Sequence, residues 1–554
     1  MSSVKRRYRR RWSASPIWSN WSKHSNTLAE VPYLTDAIGR LHDIWASFVP
    51  SRRRPAPISR PGELDYRRLK QTTKPTSHIE VDPGSQSTAP TIKVSREAAG
   101  RILISLMFPS MVMPLTSSMS RVALPVIRDH FQLQADMAAW IATAFMLPFM
   151  ILMPVYGRLS DGLGKRRLIL AGIAIFSIGT AMATFASDLP WLMVGRAIQG
   201  IGVGGIMPLG MALISTIFHP DERGKALGTW SAVGPTTAFI GPLFAGFLIE
   251  RWGWRAAFGP PMGVGVIAFL VVVKTVPPRL DEVKHGFLRS FDWVGAGLLA
   301  GTMISLLFYL SSRPVTGVPP LQDWRLASIT TILMVCFLWW EKRREAPFVA
   351  LNILRSRAFS TISFCASMRM FVMGGLSFLV PLYLADVRKL SVTHIGIMAM
   401  INPGAMSLIV RFGGQAADRW GSRWPVVIGL TIQALVILIF SQLPDTAPMW
   451  GIGIILASHG LAAGLMLAAL HRAAMRNISE AQMGMAAGLY SMLRFVGSVI
   501  GTALGGVLLQ IYLDRPFSIT KAYQRAFLFF AGISILGIIA GLGLKEAENR
   551  KKHL

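Results

Sequence analysis

The sequence is poor in charge, in acid and in cysteine. Asp, Glu, Lys and Arg make up 15% of the 554 residues, whereas about 25% is usual in a soluble domain. Negatively charged residues are the fewer, with 28 Asp and Glu against 57 Lys and Arg. The two cysteines, Cys336 and Cys365, both fall in apolar runs, so no disulfide framework is indicated. The low charge excludes a soluble globular enzyme as the main body, and the 52% apolar content excludes a disordered or fibrous protein.

Long apolar runs occupy the sequence from residue 101 onward. Each is about 20 residues long, which is enough to cross a bilayer. Lipid offers no hydrogen bonds to a bare backbone, so each run is predicted to be a helix. The fourteen predicted spans are 103–126, 137–156, 168–187, 191–217, 227–249, 258–277, 293–312, 325–340, 360–385, 393–412, 424–442, 449–470, 484–511 and 526–544.

The positive charge of the loops predicts the orientation in the membrane. The loops at the end that holds both termini carry more than twice as many Lys and Arg as the loops at the other end. The positive-inside rule therefore places the N- and C-termini in the cytoplasm, in a plasma (inner) membrane. Because the charge is spread over short loops between spans, nucleic-acid binding is not indicated.

Residues 1–100 differ from the rest, with 18 Lys and Arg against 8 Asp and Glu. The opening MSSVKRRYRRRW has no apolar stretch behind it, so it is not a secretory signal. We expect a basic, mostly disordered cytoplasmic tail, with a possible interfacial helix over 33–48. A transient helix without a role, an organellar transit peptide and a start codon assigned too far upstream remain open alternatives.

An internal repeat divides the spans into two halves. The loop GRLSDGLGKRR (157–167) matches GQAADRWGSR (414–423) at an offset of 257, and GKALG (224–228) matches GMAAG (484–488) at an offset of 260. Two parallel six-helix repeats are a transporter architecture, so spans seven and eight are an insertion. The predicted division is a tail over 1–100, a first bundle over 101–278, inserted helices over 279–358, a second bundle over 359–545 and a tail over 546–554.

Several motifs carry a resemblance to a known family. They are the loop 157–167, RAIQGIGVGG (196–205), PDERGKALG (220–228), FDWVG (291–295), EKRREAPFVALNILRSRAF (341–359) and AAGLYSMLRFVGSVIG (486–501). Over about residues 103–545 the chain resembles the major facilitator superfamily, in its fourteen-span drug:proton antiporter branch. The resemblance implies an all-α polytopic membrane protein with two six-helix bundles and two inserted helices. It also implies export of drugs or other small amphiphilic compounds by alternating access, with the proton as coupling ion.

The resemblance also implies roles for particular residues. The loop motifs would hold the cytoplasmic gate closed in the outward-facing state, and the span-four arginine would couple protonation to rearrangement. A charged loop that fixes topology and a structural hydrogen-bonding arginine are the alternatives. The gating and coupling residues implied are Gly157, Asp161, Gly164, Lys165, Arg166, Arg196, Gly414, Asp418 and Gly421. Gly241, Pro242 and Gly246 would form an antiporter-type pivot in span five, for which simple close packing is the alternative.

Span one departs from the family pattern. In LTSSMSRVALP (115–125), Thr116 stands where the family carries an Asp, and Arg121 stands where an Asn is expected. All twenty acidic residues after position 100 fall in loops or at helix ends, so no carboxylate is predicted in mid-membrane to carry a proton. The candidate substrate pathway is therefore Thr116, Arg121, Arg369, His459 and Arg494.

Two chemistries follow from those candidates. Histidine titrates near neutral pH, so His459 is a possible proton carrier, with helix packing as the alternative. If Arg369 and Arg494 face the cavity, they would favour anionic or zwitterionic substrates; structural roles are again the alternative.

The sequence predicts a secondary active transporter of small molecules, as a monomer or an oligomer of unknown order. An organic-anion exporter without a span-one carboxylate and a non-transporting membrane sensor or scaffold remain alternatives. No HExxH, CxxC, nucleophile elbow or phosphate loop occurs, so we expect no enzyme activity, no metal and no cofactor.

Overall fold

The computed structural model describes residues 95–278, 286–344, 349, 351–476, 478 and 483–544, and these residues form helices and connecting turns only. Residues 1–94 of the predicted N-terminal tail, with the segment 33–48, and the predicted C-terminal tail lie outside the described residues, whereas residues 96–100 belong to α1. Fourteen long helices follow one another in the chain. They are α1 Arg96–His130, α2 Ala135–Leu163, α3 Lys165–Thr184, α4 Leu189–Val203 continued by Ile206–Ile217, α5 Pro220–Ser231 continued by Val233–Trp252, α6 Gly259–Thr275 preceded by the 3-10 turn Trp254–Phe258, α7 Trp293–Leu310, α8 Trp324–Arg343, α9 Arg357–Asp386, α10 Val392–Trp420, α11 Arg423–Phe440, α12 Met449–Met475, α13 Met483–Leu513 and α14 Ile519–Leu542. Short helices at Phe287–Ser290, Arg313–Thr316 and Leu351–Leu354 lie between them.

Thirteen of these helices are long and apolar enough to cross a membrane, counted over the described residues. The exception is α8, which has 20 residues. Arg325 near its start and Glu341 near its end shorten its apolar stretch. The predicted segment 325–340 is therefore a helix, and its passage through the membrane stays a prediction.

Polar side chains cap the N-termini of several helices by accepting a hydrogen bond from a free backbone N–H in the first turn. Asp188 caps α4 by accepting from Trp191 N, and Ser518 caps α14 by accepting from Lys521 N. The turns α2–α3 and α10–α11 occupy matching places in the repeat. Gly164 and Gly421 close them with φ of 86° and 79°, a conformation that other residues adopt at a cost.

The helices pack into two bundles of six with the same internal pairing. In the first bundle α1 packs on α5 and α6, α4 packs on α2 and α3, and α3 packs on α6. The second bundle repeats each pair eight helices later, from α9 to α14. Helices α7 and α8 pair with each other, and α7 lies against α2 and α13. The predicted fold class of two six-helix bundles with two inserted helices is confirmed, while the domain boundaries within the chain stay predictions.

Small residues let the helices approach closely, as is usual where lipid supplies no hydrophobic drive for association. On α13, a Cβ at Gly501 would collide with the carbonyl oxygen of Phe371 on α9. On α4, Gly202 lies equally tightly against the backbone of α3 at Gly172 and Phe176.

The buried apolar residues form three clusters that divide the protein into two ends. We call the end with the α1–α2 and α9–α10 loops the distal end, and the end with the α2–α3 and α10–α11 loops the proximal end. At the distal end one cluster runs through both bundles, from Leu124 on α1 to Leu379 on α9 and Phe527 on α14. At the proximal end the first bundle has its own cluster, and the second bundle shares another with α7 and part of α2. The bundles therefore share more of their apolar core at the distal end than at the proximal end, where the shared contacts described are those of α2 and of Phe495 on α13.

The close approach of α13 to α9 predicts the effect of a single methyl group. Gly501→Ala should lower the apparent melting temperature of the purified protein by about 3 °C or more, because overpacking against a backbone oxygen costs about 1–3 kcal/mol. Thermal unfolding in detergent, followed by intrinsic fluorescence, measures this. Gly488→Ala on the same helix is the matched control, since a Cβ there meets no atom within 4 Å. Equal melting temperatures for the two variants would contradict the packing.

Candidate functional site

The two span-one departures have different surroundings. Thr116 is 1% exposed, and its hydroxyl donates to the Val112 carbonyl within α1 at 2.7 Å. Arg121 links the two bundles. Its Nη1 donates to Ser377 Oγ on α9 at 3.1 Å, and its Nε donates to Ser117 O within α1. The position expected to carry the proton thus holds a satisfied hydroxyl, and a nearby arginine ties α1 to α9.

An ion pair closes the distal end beyond Arg121. Arg128, at the end of α1, donates both terminal nitrogens to Asp386, at the end of α9, at 2.6 Å each. The Tyr523 hydroxyl of α14 donates to the same carboxylate. Bidentate pairs of this kind combine charge with fixed geometry. Asp386 therefore connects the first bundle to two helices of the second.

Two further contacts close the distal end, and the repeat relates them. Glu250, at the end of α5, accepts from Thr393 N in the first turn of α10 at 3.2 Å. Gln510 on α13, 260 residues later, accepts from Ala135 N in the first turn of α2 at 2.8 Å. Each bundle thus caps a helix N-terminus of its neighbour. The first bundle uses the carboxylate of Glu250, and the second uses the neutral amide of Gln510.

The three antiporter-type residues lie beside the Glu250 cap. A Cβ at Gly246 would come within 2.8 Å of Thr393 Cα on α10, and Gly396 of α10 lies against the Pro242 carbonyl. Gly241 faces α1, where its close neighbour is Ser118. These residues allow α5 to contact α10 and α1 at backbone distance.

Arg196 is held inside the first bundle. It is 1% exposed, donates from Nε to Ile141 O on α2 at 3.1 Å and from Nη1 to Gln199 Oε1 at 2.9 Å, and lies 4.5 Å from the centre of the Phe145 ring. Gln199 in turn donates to Thr180 on α3. A carbonyl, an amide and a ring therefore stabilise the charge, without a carboxylate among the contacts described.

The sequence candidates of α9 and α12 are buried in the second bundle. Arg369, 2% exposed, donates from Nε to Ala463 O on α12 at 3.2 Å. His459, also 2% exposed, contacts the Asn402 amide on α10 through Nδ1 at 2.6 Å. Its Nε2 is buried, and the described residues provide no hydrogen-bond partner for it.

Arg494 lies nearer the proximal end than His459, and it has a partner that the sequence analysis missed. Its Nη1 is 2.9 Å from His471 Nε2 on α12, and its guanidinium lies 4.8 Å from the centre of the Phe495 ring. Because arginine can only donate, His471 accepts this bond and is neutral here. His471 itself is exposed. The predicted span ended at residue 470, whereas α12 continues to Met475. The available signal was that residues 471–475 contain no Gly or Pro to end the helix.

A row of aromatic rings connects the two arginines across the bundles. Phe145 and Phe149 of α2 stack at 6.2 Å, and Phe149 meets Phe495 of α13 edge-on at 5.0 Å. Arg196 lies over the first ring and Arg494 over the last. The Arg494 region therefore lies at a contact between the two bundles.

The predicted gate loops are only partly described. Arg166 donates to Val273 O and Val276 O at the end of α6, which fixes the start of α3 against that helix. Gly157 and Gly414 lie near the ends of α2 and α10, and Lys165 begins α3. The side chains of Asp161 and Asp418 lie outside the described part, so the gate contact stays a prediction. Among the described residues, no three His, Cys, Asp or Glu side chains come together as a metal site requires.

Comparison with known proteins finds one family model and several similar transporters. The family model described as Major Facilitator Superfamily matches residues 106–359 and 362–553. The multidrug resistance protein Stp of Mycobacterium tuberculosis is 26% identical over 71% of this chain and 72% of its own length. The riboflavin transporter RibZ of Clostridioides difficile is 24% identical over 79% of this chain and 96% of its own.

A solved structure shows the same fold at lower sequence similarity. It is a bacterial homologue of the human lysosomal transporter Spinster in an inward-facing, unoccupied conformation, with a TM-score of 0.57 and 16% identity over 81% of this chain and 98% of that one.

The Asp386 contact predicts how the distal end responds to losing one charge. Asp386→Asn should populate a second, longer distance between spin labels on Ser187 and Thr446, exposed in distal loops of different bundles. Removing the charged acceptor costs about 2 kcal/mol, which shifts the closed-to-open ratio at least about tenfold. Pulsed electron paramagnetic resonance, in a background with Cys336 and Cys365 replaced by Ser, measures the distances.

Asp129→Asn is the matched control for this measurement. Asp129 binds the same Arg128 and loses the same charge, but it lies on α1 itself and ties no second bundle. An unchanged distance distribution in Asp386→Asn, or an equal change in both variants, would contradict a bundle-joining role for Asp386.

Proposed function

The chain belongs to the Major Facilitator Superfamily, and we propose that it exports small amphiphilic organic molecules from the cytoplasm by alternating access. The observation that carries this proposal is the uneven contact between the bundles. One apolar cluster that draws on most helices of both bundles, and several polar contacts, join them at the distal end. Among the described residues, α2 is the one first-bundle helix that shares the proximal cluster of the second bundle, and Phe495 of α13 packs on that of the first. A substrate can then enter from the proximal side and leave distally after the bundles rock.

The charge of the loops supports the direction of this movement. The proximal loops carry most of the loop Lys and Arg, so the proximal side is cytoplasmic by the positive-inside rule. The conformation described is then inward-facing in a plasma membrane, with both termini in the cytoplasm. A substrate loaded in this state comes from the cytoplasm and is released outside.

Partly exposed methionines on α1 and α9 support an amphiphilic cargo. Met107 and Met111 on α1 and Met370 and Met373 on α9 are partly exposed. Thioether side chains adapt to irregular apolar shapes, so they suit a site that accepts several compounds. The names of the two relatives, one for multidrug resistance and one for riboflavin transport, agree with a small organic cargo.

The drive is proton exchange, and the contacts restrict which residue carries the proton. An exchanger must release its proton to the cytoplasm in the inward-facing state. Glu250 and Asp386 are engaged in the closed distal end and cannot do so. His471 is exposed on the proximal side and is neutral as the acceptor for Arg494. We therefore assign the proton to His471 in preference to the buried His459.

Dye export tests the proposal directly. Cells that express the full chain should lose preloaded rhodamine 6G faster than cells with an empty vector, and a protonophore should abolish the difference. Deletion of residues 1–95 should leave export intact. No export of rhodamine 6G or of fluorescein would contradict the proposal and would favour a sensor or scaffold role for the chain.

The proton assignment predicts an uncoupled variant. His471→Gln keeps an acceptor for Arg494 but cannot titrate at neutral pH, so dye should still move down its gradient while uphill export is lost. Everted membrane vesicles with an imposed pH gradient measure both modes. His459→Gln is the control and should keep uphill transport. The reverse pattern would assign the proton to His459.

A further inference from the structure

Three cationic or aromatic side chains near the proximal opening form a basic cluster, which we define as Arg369, Arg494 and Tyr490. Arg369 on α9 and Arg494 on α13 belong to helices in backbone contact, since a Cβ at Gly497 would collide with the Ser367 carbonyl oxygen. Tyr490 lies within 5.9 Å of the Arg494 guanidinium, measured to the ring centre, and its ring meets His471 at 5.4 Å. Arg494 thus lies beside a phenol and an imidazole, and Arg369 lies on the adjoining helix.

The second bundle provides no negative charge near this cluster among the residues described. Its described carboxylates, Asp386, Asp445 and Asp514, all lie at the distal end. Arg494 lies eleven residues into α13 from the proximal side, about 16 Å along the helix axis. A charge inside a membrane normally pairs with an opposite charge or with backbone carbonyls. Arg369 has Ala463 O as such a partner, whereas Arg494 has a neutral histidine and two rings.

Two donors of the cluster are buried without an acceptor. Tyr490 is 2% exposed, and its hydroxyl has no hydrogen-bond partner among the described residues. The same holds for Arg494 Nε, although the Arg494 side chain as a whole is only half-buried. Leaving a buried donor unpaired is unfavourable, so a ligand that brings acceptors gains binding energy here.

We propose that the basic cluster binds an oxyanion group, such as a carboxylate or sulfonate, of an amphiphilic organic substrate. Arg494 and Tyr490 donate to the oxyanion, and Arg369 stabilises it from behind through its charge. The apolar part of the substrate then lies against Phe495 and Phe149, whose rings cross the bundle interface next to Arg494. This deepens the proposed function, because it assumes that the proximal opening is the substrate pathway.

Binding of two matched dyes tests the substrate class without requiring transport. Fluorescein carries a free carboxylate, and rhodamine 6G is a xanthene cation in which that carboxylate is esterified. The probe is added to the full chain in nanodiscs of phosphatidylcholine, which has no net charge, and fluorescence anisotropy reports the affinity. We expect fluorescein to bind more tightly than rhodamine 6G.

Variants identify the residues responsible. Arg494→Gln should weaken fluorescein binding at least about tenfold and leave rhodamine 6G binding unchanged or stronger, and Arg494→Lys should fall between. Tyr490→Phe removes one oxygen and keeps the ring, so it should weaken fluorescein several-fold and remain informative if the arginine variants do not fold. Arg476→Gln is the control for general charge, because Arg476 is exposed at the end of α12.

The outcomes separate this inference from the export proposal. Fluorescein binding that does not exceed rhodamine 6G binding, or that is unaffected by both Arg494→Gln and Tyr490→Phe, overturns the anion site. Cells that export rhodamine 6G would then still support the proposed function. Fluorescein binding that depends on Arg494, in a protein that exports neither dye, would support the site and overturn the export proposal.

Discussion

The contact between the bundles at the distal end controls the rest of this structure. Apolar contacts at this end contribute little to the free-energy difference between the closed and open states. The reason is that apolar surface exposed on opening contacts lipid or substrate as well as water. The polar contacts therefore carry much of the difference between states: Arg128 with Asp386, Arg121 with Ser377 and the two helix caps. Each is worth about 0.5–3 kcal/mol, so their sum is small enough for a ligand to overcome by differential binding.

Among the described residues no carboxylate lies in the middle of a long helix, so the interior arginines are held by other partners. A charge at the centre of a span costs about 2.5–3.5 kcal/mol on insertion scales. Arg196 and Arg369 offset this cost with backbone carbonyls of a neighbouring helix. Arg494 has no such carbonyl among its described contacts, which distinguishes it from the other two. An anion bound there would also move outward with an interior-negative potential, which contributes about 2.3 kcal/mol per charge for each 100 mV.

The fold was more predictable from the sequence than the site was. Span length and apolar content are local properties, so all fourteen segments form helices and Gly164 and Gly421 occupy equivalent turns. The site depends on which helices face each other. The pairing of Arg128 with Asp386 joins residues 258 apart, and no local pattern indicates it. His471 was missed because hydropathy alone placed the end of α12 five residues early.

The two bundles share a fold but differ in how well their buried polar groups are satisfied. In the first bundle Arg196, Gln199 and Thr180 form a continuous network from α2 to α3. At the place of Gln199 the second bundle has His459, with a buried nitrogen that has no partner in the described part of the chain. The same holds for polar atoms of Gln433, Tyr490 and Arg494 on its other helices. Unsatisfied buried groups cost stability and persist where a second state or a ligand pairs them. In the first bundle such atoms are fewer among the described residues, at Thr143, Arg223 and Trp254, so its buried polar groups are the better satisfied of the two.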